Sequence, residues 1–208
     1  MNDYTINVEL EATYTVAAAD YFARAVAFVL RAEGVPPPLE VSVRLVDDAT
    51  IQQYNRDYLG HDRPTDVIAF GLEEQDVASA ASQQPAPHEG EVEREAGSEP
   101  AYWQHEDAQV APALVEQQVA GRFLLPAAEA MLAEGETPYL GDIIASYETA
   151  AQQAADYGHT PLQELTELVM HGTLHLLGYD DHAEESYRLM HRHEDRHLAA
   201  FLAAEAAR

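Results

Sequence analysis

No cysteine occurs among the 208 residues. That excludes disulfides, a disulfide partner and thiolate metal ligands, so any transition-metal site must draw on His, Asp or Glu. It is also compatible with a reducing compartment. Long apolar runs are missing as well; stretches such as Ala23–Leu30 are too short to cross a bilayer. The opening Met1-Asn2-Asp3-Tyr4 has no basic region leading into an apolar stretch, so no secretory signal is expected. These absences predict a soluble, cytoplasmic protein with no membrane partner.

Basic residues are scarce, 11 against 37 acidic ones, for a formal charge of -26. So acidic a surface repels phosphate backbones and on composition alone argues against nucleic acid. Acidic chains also arise for solubility or in salty cell interiors. Roughly a third of the acidic residues sit between Glu73 and Thr137, balanced only by Arg94 and Arg122. That segment carries Ser82-Gln83-Gln84-Pro85-Ala86-Pro87 and Glu89-Gly90-Glu91-Val92-Glu93, and it is far too long for an ordinary loop. It reads as a disordered or partly helical insertion at 73–137, with short helices over Val110–Phe123 and Ala127–Ala133. Much of the charge therefore belongs to an excursion from the core.

Outside the insertion, β-branched and alternating apolar residues predict strands at Asn7–Leu10, Leu39–Val46, Asp66–Leu72 and Tyr139–Ser146. Tyr21, Phe22, Ala25, Val26, Phe28, Val29 and Ala32 recur at helical spacing over Ala17–Glu33. Asp47 or Asp48 can cap a helix through Leu59, stopped by Gly60. Further helices are predicted at Tyr147–Tyr157, Pro161–Leu177 and Ala183–Ala207. The expectation is one α/β domain over 1–208, an approximately four-stranded mixed sheet packed with helices.

The chemistry concentrates in His171-Gly172-Thr173-Leu174-His175-Leu176-Leu177-Gly178-Tyr179-Asp180-Asp181-His182. His171 and His175 are four residues apart in a helical pattern, so both imidazoles leave one face and can converge on one ion. Gly178 lets the helix end turn sharply, and the turn can swing His182 back as a third ligand. Three imidazoles leave a coordination position open for water, whose pKa such an ion lowers to roughly 7. Asp180 or Asp181 is an alternative ligand, an acceptor behind a ligating ring, or a general base. Tyr179 reads as packing under the turn. His191, His193 and His197 share a helix with Arg192, Glu194, Asp195 and Arg196 and read as a solvated face; His88 and His105 fall in the insertion and receive no role. Zinc proteases share the two-histidine helix, but carry a glutamate after the first histidine where this chain has Gly172. Without that general base, a protease reading loses its central group.

The sequence resembles the bacterial YbeY family, the endoribonucleases that act as rRNA maturation factors. The likeness rests on His171–Asp180 against the family signature His-Gly-x-Leu-His-Leu-x-Gly-Tyr-Asp-His. It rests also on Pro64-Thr65-Asp66-Val67-Ile68-Ala69-Phe70, preceded by Asn55, Tyr58 and Asp62, and on Leu140-Gly141-Asp142-Ile143-Ile144-Ala145-Ser146. The resemblance implies one zinc ion per chain on His171, His175 and His182. It also implies single-strand-specific RNA cleavage in 16S rRNA 3′-end maturation and ribosome quality control, with ribosomal RNA and the small ribosomal subunit as partners. Three departures stand out. Asp181 is extra in the turn, Leu59 stands where the family commonly has arginine, and the acidic insertion replaces a short loop. Arg56 and Arg63 are the substitutes for the missing guanidinium, so both are candidate substrate contacts. Asp66 and Asp142 read as hydrogen-bond acceptors rather than catalysts. A ribosome-assembly or RNA-binding factor with a structural zinc and little cleavage is the alternative.

Overall fold

A computed structural model describes residues 4–11, 17–71 and 137–208. The four apolar segments form one sheet: β1 (Tyr4–Leu10), β2 (Leu39–Val46), β3 (Val67–Gly71) and β4 (Tyr139–Ser146). Their spatial order is β1-β2-β4-β3, with β1, β2 and β4 parallel and β3 antiparallel to β4. Parallel neighbours require a crossover, and α1 (Ala19–Ala32) supplies it between β1 and β2. The remaining helices are α2 (Asp48–Leu59), α3 (Tyr147–Tyr157), α4 (Pro161–Leu176) and α5 (Glu184–Ala206). Among the described residues no helix is long and apolar enough to cross a membrane.

The two sheet faces bury different partners. Leu39, Val41, Val43 and Leu45 alternate along β2 and enter the larger core with α1, α4 and α5, which includes Phe22, Val26, Ile143, Leu165, Met170, Leu174 and Met190. The opposite face holds Val46, Ile51, Ile68 and Ile144, with Tyr54 and Phe70 packed beside them under α2. Each fully buried aliphatic or aromatic side chain contributes about 1.5–3 kcal/mol, so the larger cluster dominates stability.

Helix α4 runs through the middle of that core, and ten of its sixteen residues are buried. A helix apolar on most sides belongs in an interior. Its start is fixed by a reciprocal capping box between Thr160 and Gln163, with Pro161 in the first turn. It lies close on β4: a Cβ placed on Gly172 would meet Ile143 Cγ2 at 2.8 Å and Val67 Cγ2 at 3.4 Å. This contact delivers the end of α4, with its two histidines, to the edge of the sheet.

Differences from the expected elements are local. β1 starts at Tyr4 because Tyr4 pairs with Leu39 and its hydroxyl donates to the Val35 carbonyl at 2.5 Å. β3 starts at Val67 because Asp66 folds its own carboxylate onto the Val67 N–H, at 2.8 Å. Asp47 is the N-cap of α2, accepting from the Thr50 N–H at 2.7 Å. Asp48 instead accepts from Thr149 Oγ1 at 2.7 Å and from the Ser146 hydroxyl, tying α2 to α3. The expected insertion lies outside the described residues apart from Thr137, as do Leu72, His88, His105 and the two short helices expected there.

Candidate metal centre

The last two turns of α4 present His171 and His175 on one face, and their Nε2 atoms stand 2.9 Å apart. His175 Nδ1 lies 3.0 Å from the Tyr179 carbonyl oxygen. A carbonyl only accepts, so Nδ1 carries the proton and Nε2 keeps its lone pair. His171 Nδ1 lies 3.3 Å from Glu194 Oε1, an acceptor of the same kind. Two nitrogen lone pairs at that separation repel unless a proton or a cation lies between them. Two imidazoles fixed through Nδ1, with Nε2 atoms converging, form the donor set of a divalent transition metal, and the residues fit such an ion.

The electrostatics agree. Burial opposes charge on His171, but hydrogen bonding to Glu194 and its negative charge outweigh it, so the His171 pKa is raised. Burial first, then the charge of His171, lower that of His175. Burial pushes the Glu194 carboxyl up, but hydrogen bonds from His171 and His191 hold it at about 2. His191 Nδ1 is 2.9 Å from the second oxygen of Glu194.

The turn after α4 decides what joins them. Gly178 takes φ 87°, the left-handed conformation, and its N–H bonds to the His175 carbonyl at 2.8 Å. Tyr179 is buried, as expected, and its hydroxyl donates to Glu33 Oε2 at 2.7 Å. The chain emerges so that Asp181 offers a carboxylate oxygen within 4.8 Å of the ligand atoms of both His171 and His175. Asp180 turns outward and accepts the His182 backbone N–H at 3.1 Å. The His182 side chain is 93% exposed, 3.7 Å from Asp180 and 3.9 Å from Asp181. His171, His175 and Asp181 come together; His182 and Asp180 lie outside that group.

The solvated-face reading of the α5 histidines is corrected. His193 and His197 are buried, and His191 is only partly exposed, against Glu194. Glu194 and Glu33 were missed as acceptors. The signal lay in spacing: Met190, His193, Glu194, His197 and Phe201 recur at three and four residues, so the histidines share the stripe of two core residues.

The expected substrate contacts lie on the last turn of α2 and in the loop before β3. Arg56 is exposed, with Nε 3.1 Å from Asp57 and Nη1 3.8 Å from Asp62. Arg63 is exposed, and its carbonyl accepts from Asn55 Nδ2 at 2.9 Å. Leu59 is exposed, and Tyr58, 69% exposed, stacks on Tyr54 and leans on Phe70. Asp66 is an acceptor, as expected, taking bonds from Thr65, Val67 and Gln153.

The sequence profile of a family described as Endoribonuclease YbeY matches residues 5–202. This chain belongs to the endoribonuclease YbeY family. It is 36% identical over 169 residues to an endoribonuclease YbeY from Geobacillus thermodenitrificans, covering 81% of this chain and 77% of that one. It is 32% identical over 194 residues to another from Chloroflexus aurantiacus, covering 92% of each. A solution structure from Thermotoga maritima aligns over 98% of this chain and 92% of its own, with TM-score 0.50 and 18% identity, a likeness of fold. Within the YbeY fold Gly172 has a packing reason. At the position where zinc proteases carry their glutamate, a Cβ would meet Ile143 Cγ2 at 2.8 Å, so a side chain there requires the neighbour to shift.

Proposed function

We propose that this chain is a zinc-dependent, single-strand-specific endoribonuclease of the cytoplasm, acting in 16S rRNA 3′-end maturation and ribosome quality control on the small subunit. Supporting the cleavage of RNA is membership of a family described as endoribonucleases. The observation that carries the metal is the pair of Nε2 atoms 2.9 Å apart, each on a ring fixed by an acceptor at Nδ1. His171 and His175 hold one zinc ion, and the third ligand comes from the following turn. Position favours Asp181 for that role; family spacing favours His182.

When bound, such an ion supplies Lewis acidity toward a phosphodiester and acidifies water in the site. The chain's own residues do the rest. Glu194 and the Tyr179 carbonyl orient the two rings. Asp180 or Asp181, in the turn beside the two rings, serves as general base toward the nucleophile, water or the RNA 2′-hydroxyl. Arg56 and Arg63 hold phosphates, and the outward ring of Tyr58 offers a base a stacking surface. A protease reading is disfavoured by the packing of Gly172.

Purified zinc-loaded protein is incubated with single-stranded RNA beside a His171→Ala control. Cleavage lost in the variant supports the reading; equal cleavage by both means a contaminating nuclease and defeats it. Product ends separate the nucleophiles, since a 2′,3′-cyclic phosphate requires attack by the RNA 2′-hydroxyl. A second reading, an assembly factor with a structural zinc, is favoured by Leu59 at the family's arginine position and by the charge of -26. It predicts RNA binding without cleavage in the same assay.

A further inference from the structure

A second group of metal-type ligands lies apart from the α4 pair. His193 and His197 are one turn apart on α5, and Glu33 is the residue that ends α1. Their side chains are 9%, 3% and 5% exposed. His193 Nδ1 lies 2.8 Å and His197 Nε2 2.5 Å from the same oxygen, Glu33 Oε1, and one ligand atom from each residue falls within 4.8 Å of the others. The second carboxylate oxygen accepts from the Tyr179 hydroxyl.

We propose that Glu33, His193 and His197 bind a second divalent transition-metal ion at a buried site of structural role, where three protein ligands leave one position for water. Two imidazoles and one carboxylate, with no thiolate, form a set suited to zinc and its first-row neighbours rather than calcium or magnesium. Both Glu33 oxygens face hydrogen-bonding groups, Oε1 the two rings and Oε2 the Tyr179 hydroxyl, the setting of a carboxylate. The hydroxyl of Tyr179 already supplies the outer hydrogen bond that orients a ligating carboxylate.

The metal-free arrangement is over-supplied at one atom. His193 Nδ1 has Glu33 Oε1 at 2.8 Å, the Tyr179 hydroxyl at 3.1 Å and Arg196 Nη2 at 3.1 Å. A ring nitrogen holds one proton or one lone pair and serves one of these. An ion on Nδ1, Nε2 and Oε1 removes the conflict, leaving Tyr179 to the second carboxylate oxygen. Arg196, whose head is 3.5 Å from Glu33 Oε1, is more than half exposed and so has room to move outward. Because the three ligands are buried, the site admits no substrate. Its role is to lock α1, α5 and Tyr179 together, and Tyr179 is the residue whose carbonyl fixes His175.

The test counts ions. The full chain is stripped with chelator, reloaded with Zn²⁺, passed over a desalting column and assayed by elemental analysis. The expected content is two ions per chain in the wild type and one in His171→Ala/His175→Ala. A Glu33→Gln chain and a His193→Asn/His197→Asn chain should each hold one, and combining the latter with His171→Ala/His175→Ala should leave none. If changes on α5 prevent folding, Co²⁺ added to the His171→Ala/His175→Ala chain needs no change at the second site. It should give visible absorption bands of a nitrogen-ligated ion at one equivalent, and a raised melting temperature. A wild type holding one ion that His171→Ala/His175→Ala abolishes overturns the proposal. So does a Co²⁺ titration of that chain without bands.

Discussion

Glu194, 3% exposed, stands behind His171 with one carboxylate oxygen 3.3 Å from Nδ1, while the other meets His191 Nδ1 at 2.9 Å. A buried carboxylate behind a ligating imidazole fixes the ring and raises its basicity. Glu194→Gln keeps the volume but loses the charge. It is expected to weaken metal binding by about 10–100-fold, read by competition with a chelator. Affinity within twofold of wild type would remove Glu194 from the site. The same group sets an acid limit. Its folded pKa, about 2, is below the ordinary 4.5, so its stabilisation is present above pH 4.5 and lost as pH falls toward 2. Urea melts of metal-free protein across that window should show a decline that is smaller in Glu194→Gln.

Much of this was legible in the sequence, for reasons that particular residues make plain. β2 alternates so regularly from Leu39 to Leu45 that its buried face could be written down in advance. Thr160, Pro161 and Gln163 announce the start of α4, and the spacing of His171 and His175 needs only helical geometry. What stayed hidden depends on which chain segment arrives from elsewhere. Glu33 and Glu194 look like surface acids until Tyr179, His193 and His171 are brought against them from distant parts of the chain. The turn was legible as a turn, while the hydrogen bond inside it, from the His182 N–H to Asp180, follows from no spacing rule.

Gly172 sets a packing limit on the same helix. A methyl group there meets Ile143 Cγ2 at 2.8 Å, and Ile143 is β-branched and fully buried, so it cannot swing away. Gly172→Ala is expected to destabilise the chain by about 1–3 kcal/mol despite the better helix propensity of alanine. Chemical denaturation measures it directly. A stabilised variant would mean that α4 and β4 pack less closely than described.

Glu167 gives the opposite pH signature to Glu194. Burial, and then the charges of Glu194 and Glu164, push its pKa from 4.5 up to about 7. An acid with a raised folded pKa costs stability in its charged form. The penalty is absent below pH 4.5, grows as pH rises and is complete above about 7. Glu167→Gln should therefore stabilise the chain at pH 8 and leave it nearly unchanged at pH 4. Because the side chain retains some solvent contact, the gain expected is about 1 kcal/mol, less than the full shift implies. Paired urea melts at the two pH values decide it, and an equal gain at both would assign the effect to packing.

The third ligand is the sharpest remaining division, because two adjacent residues compete for it. Asp181 has its carboxylate within 4.8 Å of both histidine ligand atoms, whereas His182 points to solvent beside it. A ligand already in place needs only a small side-chain adjustment. His182, turned to solvent, has to swing inward to reach the two rings. Asp181→Ala is therefore expected to lower zinc affinity by at least the 10–100-fold that loss of a supporting group produces, and His182→Ala to change it by less than threefold. Chelator competition on both variants, with His171→Ala as the null, gives the comparison. Should His182→Ala lose the ion while Asp181→Ala keeps it, the turn rearranges around the metal. Asp181 would then be the residue that lengthens the turn, and His182 the ligand that the spacing of the histidines first indicated.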